Sequence, residues 1–205
     1  MRTTALGGGF EEFLASSEII DCDHPAVKRL VAEVRRQTGL QTIRAAYETV
    51  RDRYPHSYDL GAEEVGVSAS DVIRHGHGIC FAKSHLLAAV LRACGIPAAL
   101  CYQRLRYSDD DPGRTCLHGL NAVWLDDSHR WHRVDPRGNK PGIDASFDPQ
   151  CERLAYNVRT ELGERDYLER HAEPVGCVAD ALRTSKTVRE LDSKLPADLT
   201  REGVG

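Results

Sequence analysis

The stretch GHGICFAKSHLLAAVLRACGIPAAL, residues 76–100, leaves this chain the least freedom. Ile79, Phe81, Leu86, Leu87, Val90, Leu91 and Cys94 spread more than halfway round a helix, so the rest of the fold has to enclose it. Gly95 and Pro97 stop the helix and an extended apolar run begins at once. Gly76 and Gly78 precede it, allowing a sharp turn and a close approach of substrate to the backbone. Cys80 falls in the first helical turn. Unpaired N–H groups and partial positive charge gather there and favour an anion. A thiol in that position is favoured as the nucleophilic thiolate. On this local context alone, Cys80 reads equally well as a buried small hydrophobe.

The chain has 205 residues, the length of one domain with a sizeable core. Before the central helix, Gly7-Gly8-Gly9 marks a turn, and the apolar run 13–20 is expected to add a strand or pack over the core. Asp23 is the predicted N-cap of a helix with Pro25 in its first turn, running to Thr38 and ended by Gly39. A second helix is expected over 41–53, with Ile43, Ala46, Tyr47 and Val50 at helical spacing. Residues 56–78 read as loop with one helical turn at 68–74, capped by Ser68 or Ser70. After the central helix, strands are expected at 98–106, 118–125 and 131–134, separated by a loop at 108–113 and a hairpin turn at Asp126-Asp127-Ser128. Three antiparallel strands after a buried helix make an α+β domain. A further strand is expected in 151–158, one or two polar helices in 177–195, and a frayed tail over 196–205.

A cysteine nucleophile needs a base within hydrogen-bond reach and a third group to hold the base's tautomer. His118 opens the run HGLNAVWL and Asp135 closes RWHRVD. A turn at 126–128 makes these runs a hairpin, and the start of one antiparallel strand lies beside the end of the next. His118 and Asp135 are therefore expected to be neighbours.

These pieces together resemble the transglutaminase-like superfamily, of the bacterial cysteine protease type with a papain-like Cys-His-Asp core. The matching features are Gly78-Ile79-Cys80, the helix ending in LRACGIPA, His118 at a strand start and Trp131 four residues before Asp135. They cover about residues 70–140, with weaker likeness back to about residue 24. The resemblance implies N-terminal helices and a central buried helix packed on an antiparallel sheet. It also implies a nucleophilic Cys80, a general base His118 and an orienting Asp135. The expected organisation is one such domain over 1–195, with a catalytic core at about 24–140, an extension over 141–195 and a flexible tail at 196–205.

The expected chemistry is acyl transfer, by hydrolysis or to an amine, on a peptide-like amide through a thioester. The backbone N–H of Cys80 is one oxyanion donor, with Tyr58 and His75 as candidates for the second. The alternative is a catalytically silent domain that uses the cleft to bind a peptide or protein. His77, Cys80 and His85 have zinc-ligand types, but no C-x-x-C or H-E-x-x-H spacing accompanies them, so no metal and no cofactor is expected. His85 is expected to pack or face solvent, His129 and His132 to alternate across a strand, and Trp124 and Trp131 to fill core or cleft wall. Gln103 and Asn121 are candidate cleft residues, and Cys116, two residues before His118, is expected on the same strand face.

Net charge is −4 with a pI near 6.1 and no basic block, which argues against a nucleic-acid partner. Seven cysteines without a C-x-x-C pair do not form a disulfide framework. No run reads as a signal peptide or a membrane span, so a cytoplasmic location and no membrane partner are expected.

Overall fold

A computed structural model describes residues 9–199 of the chain. Gly7 and Gly8 of the expected turn, and 200–205 of the expected tail, lie outside the described residues. Two amphipathic helices come first, α1 (Pro25–Val34) and α2 (Gly39–Arg53). Val27, Leu30, Val31 and Val34 form the buried stripe of α1, and Ile43, Ala46, Tyr47 and Val50 that of α2. The N-cap of α1 is His24 rather than Asp23: the His24 ring accepts from the Ala26 N–H at 3.2 Å. Gly39 opens α2 instead of closing α1, because Thr38 turns its hydroxyl onto the Gln41 N–H and caps a new helix. Two short helices follow, α3 (Ser57–Leu60) and α4 (Ala69–His75). The second starts at Ser68 with a reciprocal Ser68–Asp71 capping box.

The central helix is α5 (Cys80–Ala93), and every residue from Phe81 to Arg92 is buried. It lies between α1, α2 and α4 on one side and the sheet on the other. Strands β1 (Ala98–Ser108), β2 (Asp111–Leu125) and β3 (Arg130–Val134) run antiparallel. The expected loop at 108–113 is a tight turn, and β2 begins at Asp111, where Pro112 and Gly113 hide the strand pattern in the sequence. The turn at Asp126–Ser128 closes with His129 in the left-handed region at φ 48°.

Later residues return to this core. Strands β4 (Ser146–Phe147) and β5 (Glu152–Arg153) pair with each other, and β6 (Arg165–Asp166) adds to β1, giving a sheet ordered β3-β2-β1-β6. The apolar run 13–20 forms no strand; Phe13, Ile19 and Ile20 pack over the core. The helical region near the C-terminus is two helices, α6 (Gly176–Thr184) and α7 (Val188–Lys194). Residues 196–198 do not fray: Pro196 O accepts from Leu117 N, Ala197 O from Thr115 Oγ1, and Asp198 pairs with Arg104. The buried Arg92 guanidinium donates to the carbonyls of Ala15, Ala98 and Ala172, tying the N-terminal segment, β1 and the late segment to α5.

Candidate active site

Cys80 is the first residue of α5, after an extended Ile79 at the N-cap. Two glycines deliver it, with different jobs. Gly76 ends α4 in the left-handed region at φ 77°, which favours glycine. Gly78 sits against core rather than substrate: a Cβ there meets Val72 Cγ2 at 3.2 Å and Ala82 Cβ at 3.3 Å. Residues 55–57 run beside this turn. Ser57 N donates to Gly78 O at 3.1 Å and Gly78 N to Pro55 O at 3.3 Å, which sets His56 next to Cys80.

His118 arrives from β2, opposite Gln103 on β1. Asp135 follows β3 directly, one residue past the Asn121–Val134 pair, so the two side chains meet diagonally across the hairpin. His118 Nε2 lies 2.7 Å from Asp135 Oδ2, and both side chains are buried. The Asp135 carboxylate also accepts from the backbone N–H of Arg137 at 3.0 Å and of Ala155 at 3.1 Å. With Nε2 committed to the carboxylate, Nδ1 is the ring nitrogen left over, and Cys80 lines the same cleft as His118. Burial disfavours the imidazolium, but the charge and hydrogen bond of Asp135 outweigh it and raise the His118 pKa. Burial likewise opposes the Asp135 carboxylate, and His118 with the two backbone donors lowers its pKa below the usual range.

Gly119 makes this approach possible. A Cβ at Gly119 falls 2.6 Å from Phe81 Cδ1 and 3.2 Å from Phe81 Cα, so only glycine lets β2 close onto the first turn of α5. Tyr156 presents its ring edge-on to His118, with centroids 4.9 Å apart. Its hydroxyl accepts from Arg137 Nε at 3.1 Å, and Arg137 pairs in turn with Asp59. Behind the site, the fully buried Lys83 donates to the carbonyls of Arg51 and Arg137 at 3.1 and 2.9 Å. Burial pushes its pKa down to about 7, against the opposing charge of Asp135.

Cys80 and His118 open on a cleft of about 600 Å³ whose walls include His56, Tyr58, Cys116, Arg137 and Tyr156. Burial, then the charge of Cys80, push the Cys116 thiol up to about 12. The other candidates lie elsewhere. His75, on α4, stacks on His77 and contacts Arg74, outside the cleft. His77 meets Ser57 and Glu64, and His85 is fully buried with Nδ1 2.8 Å from Val67 O. Among the described residues no group of three His, Cys, Asp or Glu side chains could hold a metal ion. Gln103 and Asn121 are buried in the sheet, Asn121 donating to Ser84 O and Ala99 O. Trp124 and Trp131 pack with Phe10 and each other, away from the cleft. His132 is buried and His129 exposed.

Residues 27–136, more than half of the chain, match the family profile of the transglutaminase-like superfamily. The chain belongs to the transglutaminase-like superfamily. Among solved structures this superfamily member is similar to a "putative cysteine protease" from Cytophaga hutchinsonii, with a TM-score of 0.52 and 19% identity. The alignment covers 67% of this chain and 45% of that one, so this transglutaminase-like chain spans less than half of the relative's length. That likeness is one of fold. A search of curated proteins finds no match. Among the described residues no helix is long and apolar enough to cross a membrane.

The sequence reading did not find His56, Tyr156, Arg137 or Lys83 as parts of this region. His56 and Tyr156 reach it through contacts 24 and 38 positions from Cys80 and His118, which no local pattern encodes.

Proposed function

We propose that this protein is a cysteine-dependent hydrolase or acyltransferase acting on a peptide-like amide through a thioester. Cys80 is the nucleophile, His118 the general acid and base, and Asp135 the group that fixes the His118 tautomer. The thiolate electron pair forms the S–C bond and the carbonyl π pair moves onto oxygen. The Cys80 N–H is one donor to that oxyanion. When the C=O re-forms, the C–N bond breaks and His118 Nδ1–H supplies the proton to the departing amine. The same nitrogen then takes a proton from water or an acceptor amine, which attacks the thioester and frees Cys80.

One observation carries the reading. The buried His118–Asp135 pair, with Nε2 taken by the carboxylate, shares its cleft with Cys80 at the start of α5. A purely binding cleft has no use for a charged pair buried behind a cysteine at a helix start. The test is iodoacetamide labelling of each cysteine by mass spectrometry between pH 5 and 9. Cys80 is expected to label first at pH 6, and His118→Ala to slow it about tenfold or more. Cys101 and Cys116, both pushed up to about 12 by burial, are the internal standards. If Cys80 reacts no faster than the other six, the protein is a silent binding domain instead.

A further inference from the structure

Four cationic residues line the cleft: Arg106, Arg137, Lys140 and Arg159. Three carboxylates stand among them, and each is already taken. Asp59 is shared by Arg137 at 2.6 Å and Lys140 at 2.8 Å. Asp109 accepts from Arg159 at 2.9 Å. The buried Glu164 carboxylate accepts from Arg159 Nε and Nη2 and from the backbone N–H groups of Arg159 and Arg106. The Arg106 guanidinium is left over. Among the described residues it makes no hydrogen bond, ion pair or ring contact.

Arg106 is not an arginine that dissolves its charge in water. The residue is only partly exposed, and its Nε is enclosed with no acceptor. A neutral peptide filling the cleft takes more water from this guanidinium and gives it nothing in return. Burying a charge in that way is costly, and a partner of opposite charge offsets the cost. Arg106 lies on β1 three residues past Gln103, the register partner of His118. At about 3.4 Å per residue this places it about 10 Å along the strand from His118, a distance an extended peptide covers in about three residues.

We propose that Arg106 determines specificity: the peptide-like amide carries a carboxylate about three residues from the reacting carbonyl, and the Arg106 guanidinium pairs with it as the cleft fills. The inference rests on the reading of Cys80 as nucleophile. A guanidinium is a planar fork of donors that matches a carboxylate. An acidic side chain and a free chain end present the same group to it.

Chloroacetyl peptides test this without turnover, because the Cys80 thiolate displaces chloride from a saturated carbon. Three probes of one length suffice: chloroacetyl-Gly-Glu amide, chloroacetyl-Gly-Gln amide and chloroacetyl-Gly-Gln free acid. Cys80 is expected to react with one of the two anionic probes about tenfold faster than with the neutral one. A faster Glu probe marks an acidic side chain as the partner, and a faster free acid marks a chain end. In Arg106→Gln the ratio of anionic to neutral rate is expected to fall to within about twofold of one. Both rates are read on the same protein, so the ratio cancels any change in Cys80 itself. No preference in wild type, or a preference that survives Arg106→Gln, overturns the proposal while the nucleophile stands. A wild-type Cys80 no faster with iodoacetamide than the other six thiols removes the nucleophile and this proposal together.

Discussion

Asp135 and His118 face each other at 2.7 Å inside the fold, where burial disfavours either charge alone and named neighbours offset it. Asp135 has three donors, the His118 ring and two backbone N–H groups. Asp135→Asn removes the charge that raises the His118 pKa and leaves a buried imidazole facing an amide. Breaking a buried pair from one side costs about 3–5 kcal/mol, and the expected result is a loss of that order in urea unfolding at pH 6. The sign with pH follows from the two shifts. His118 is raised, so its contribution is complete below about 6.5, its unfolded value, and declines as pH rises toward the folded one. Asp135 is lowered, so its contribution is complete above about 3.9 and is lost as pH falls through the folded value. The gap between wild type and Asp135→Asn is therefore expected to be widest between about pH 4 and 6.5 and to narrow on both sides. A gap that grows steadily toward pH 9 contradicts this.

The meeting of β2 with α5 is an affair of two elements that a single missing methyl group permits. Gly119→Ala places carbon 2.6 Å from the Phe81 ring and 3.2 Å from its Cα, and the second contact is backbone. The strand has to move away, at a cost of about 1–3 kcal/mol in urea unfolding. The same shift draws His118 off Cys80, so iodoacetamide labelling of Cys80 at pH 6 is expected to slow as well. Stability loss with unchanged labelling would mean that the strain is absorbed elsewhere. At this scale much was legible. The all-round apolar run gave α5, alternation gave the three strands, and the hairpin turn at Asp126–Ser128 was enough to bring His118 to Asp135. The misses have local causes. Gly39 reads as a helix stop, yet the Thr38 cap makes it a start. Strands of two residues, such as β4, β5 and β6, have too few positions to show a period. His56 lay in a stretch read as loop, although Gly61 in the left-handed region closes a helical turn that includes Asp59.

The family match ends at residue 136, but the molecule does not divide there. Ala155 N donates to Asp135, Tyr156 lies against His118, β6 extends the sheet, and Arg92 holds Ala172. The resemblance in the sequence runs only to about residue 140, and these links are single contacts over long separations that leave no pattern. One of them has a consequence for the proton balance of the whole chain. Lys83, enclosed between the carbonyls of Arg51 and Arg137 and pushed down to about 7, surrenders its proton in the folded state over a range where the unfolded chain keeps it. Between about pH 7 and 10.4, unfolding therefore takes up a proton at this residue, and its contribution to stability rises with pH. His118 and the buried thiols act in the opposite sense, so the quantity to read is the difference between wild type and Lys83→Met. Calorimetric unfolding at pH 8.5, in buffers of high and low ionisation heat, is expected to show up to one more proton absorbed by wild type. Equal buffer dependence in the two proteins would mean that Lys83 stays charged inside the fold.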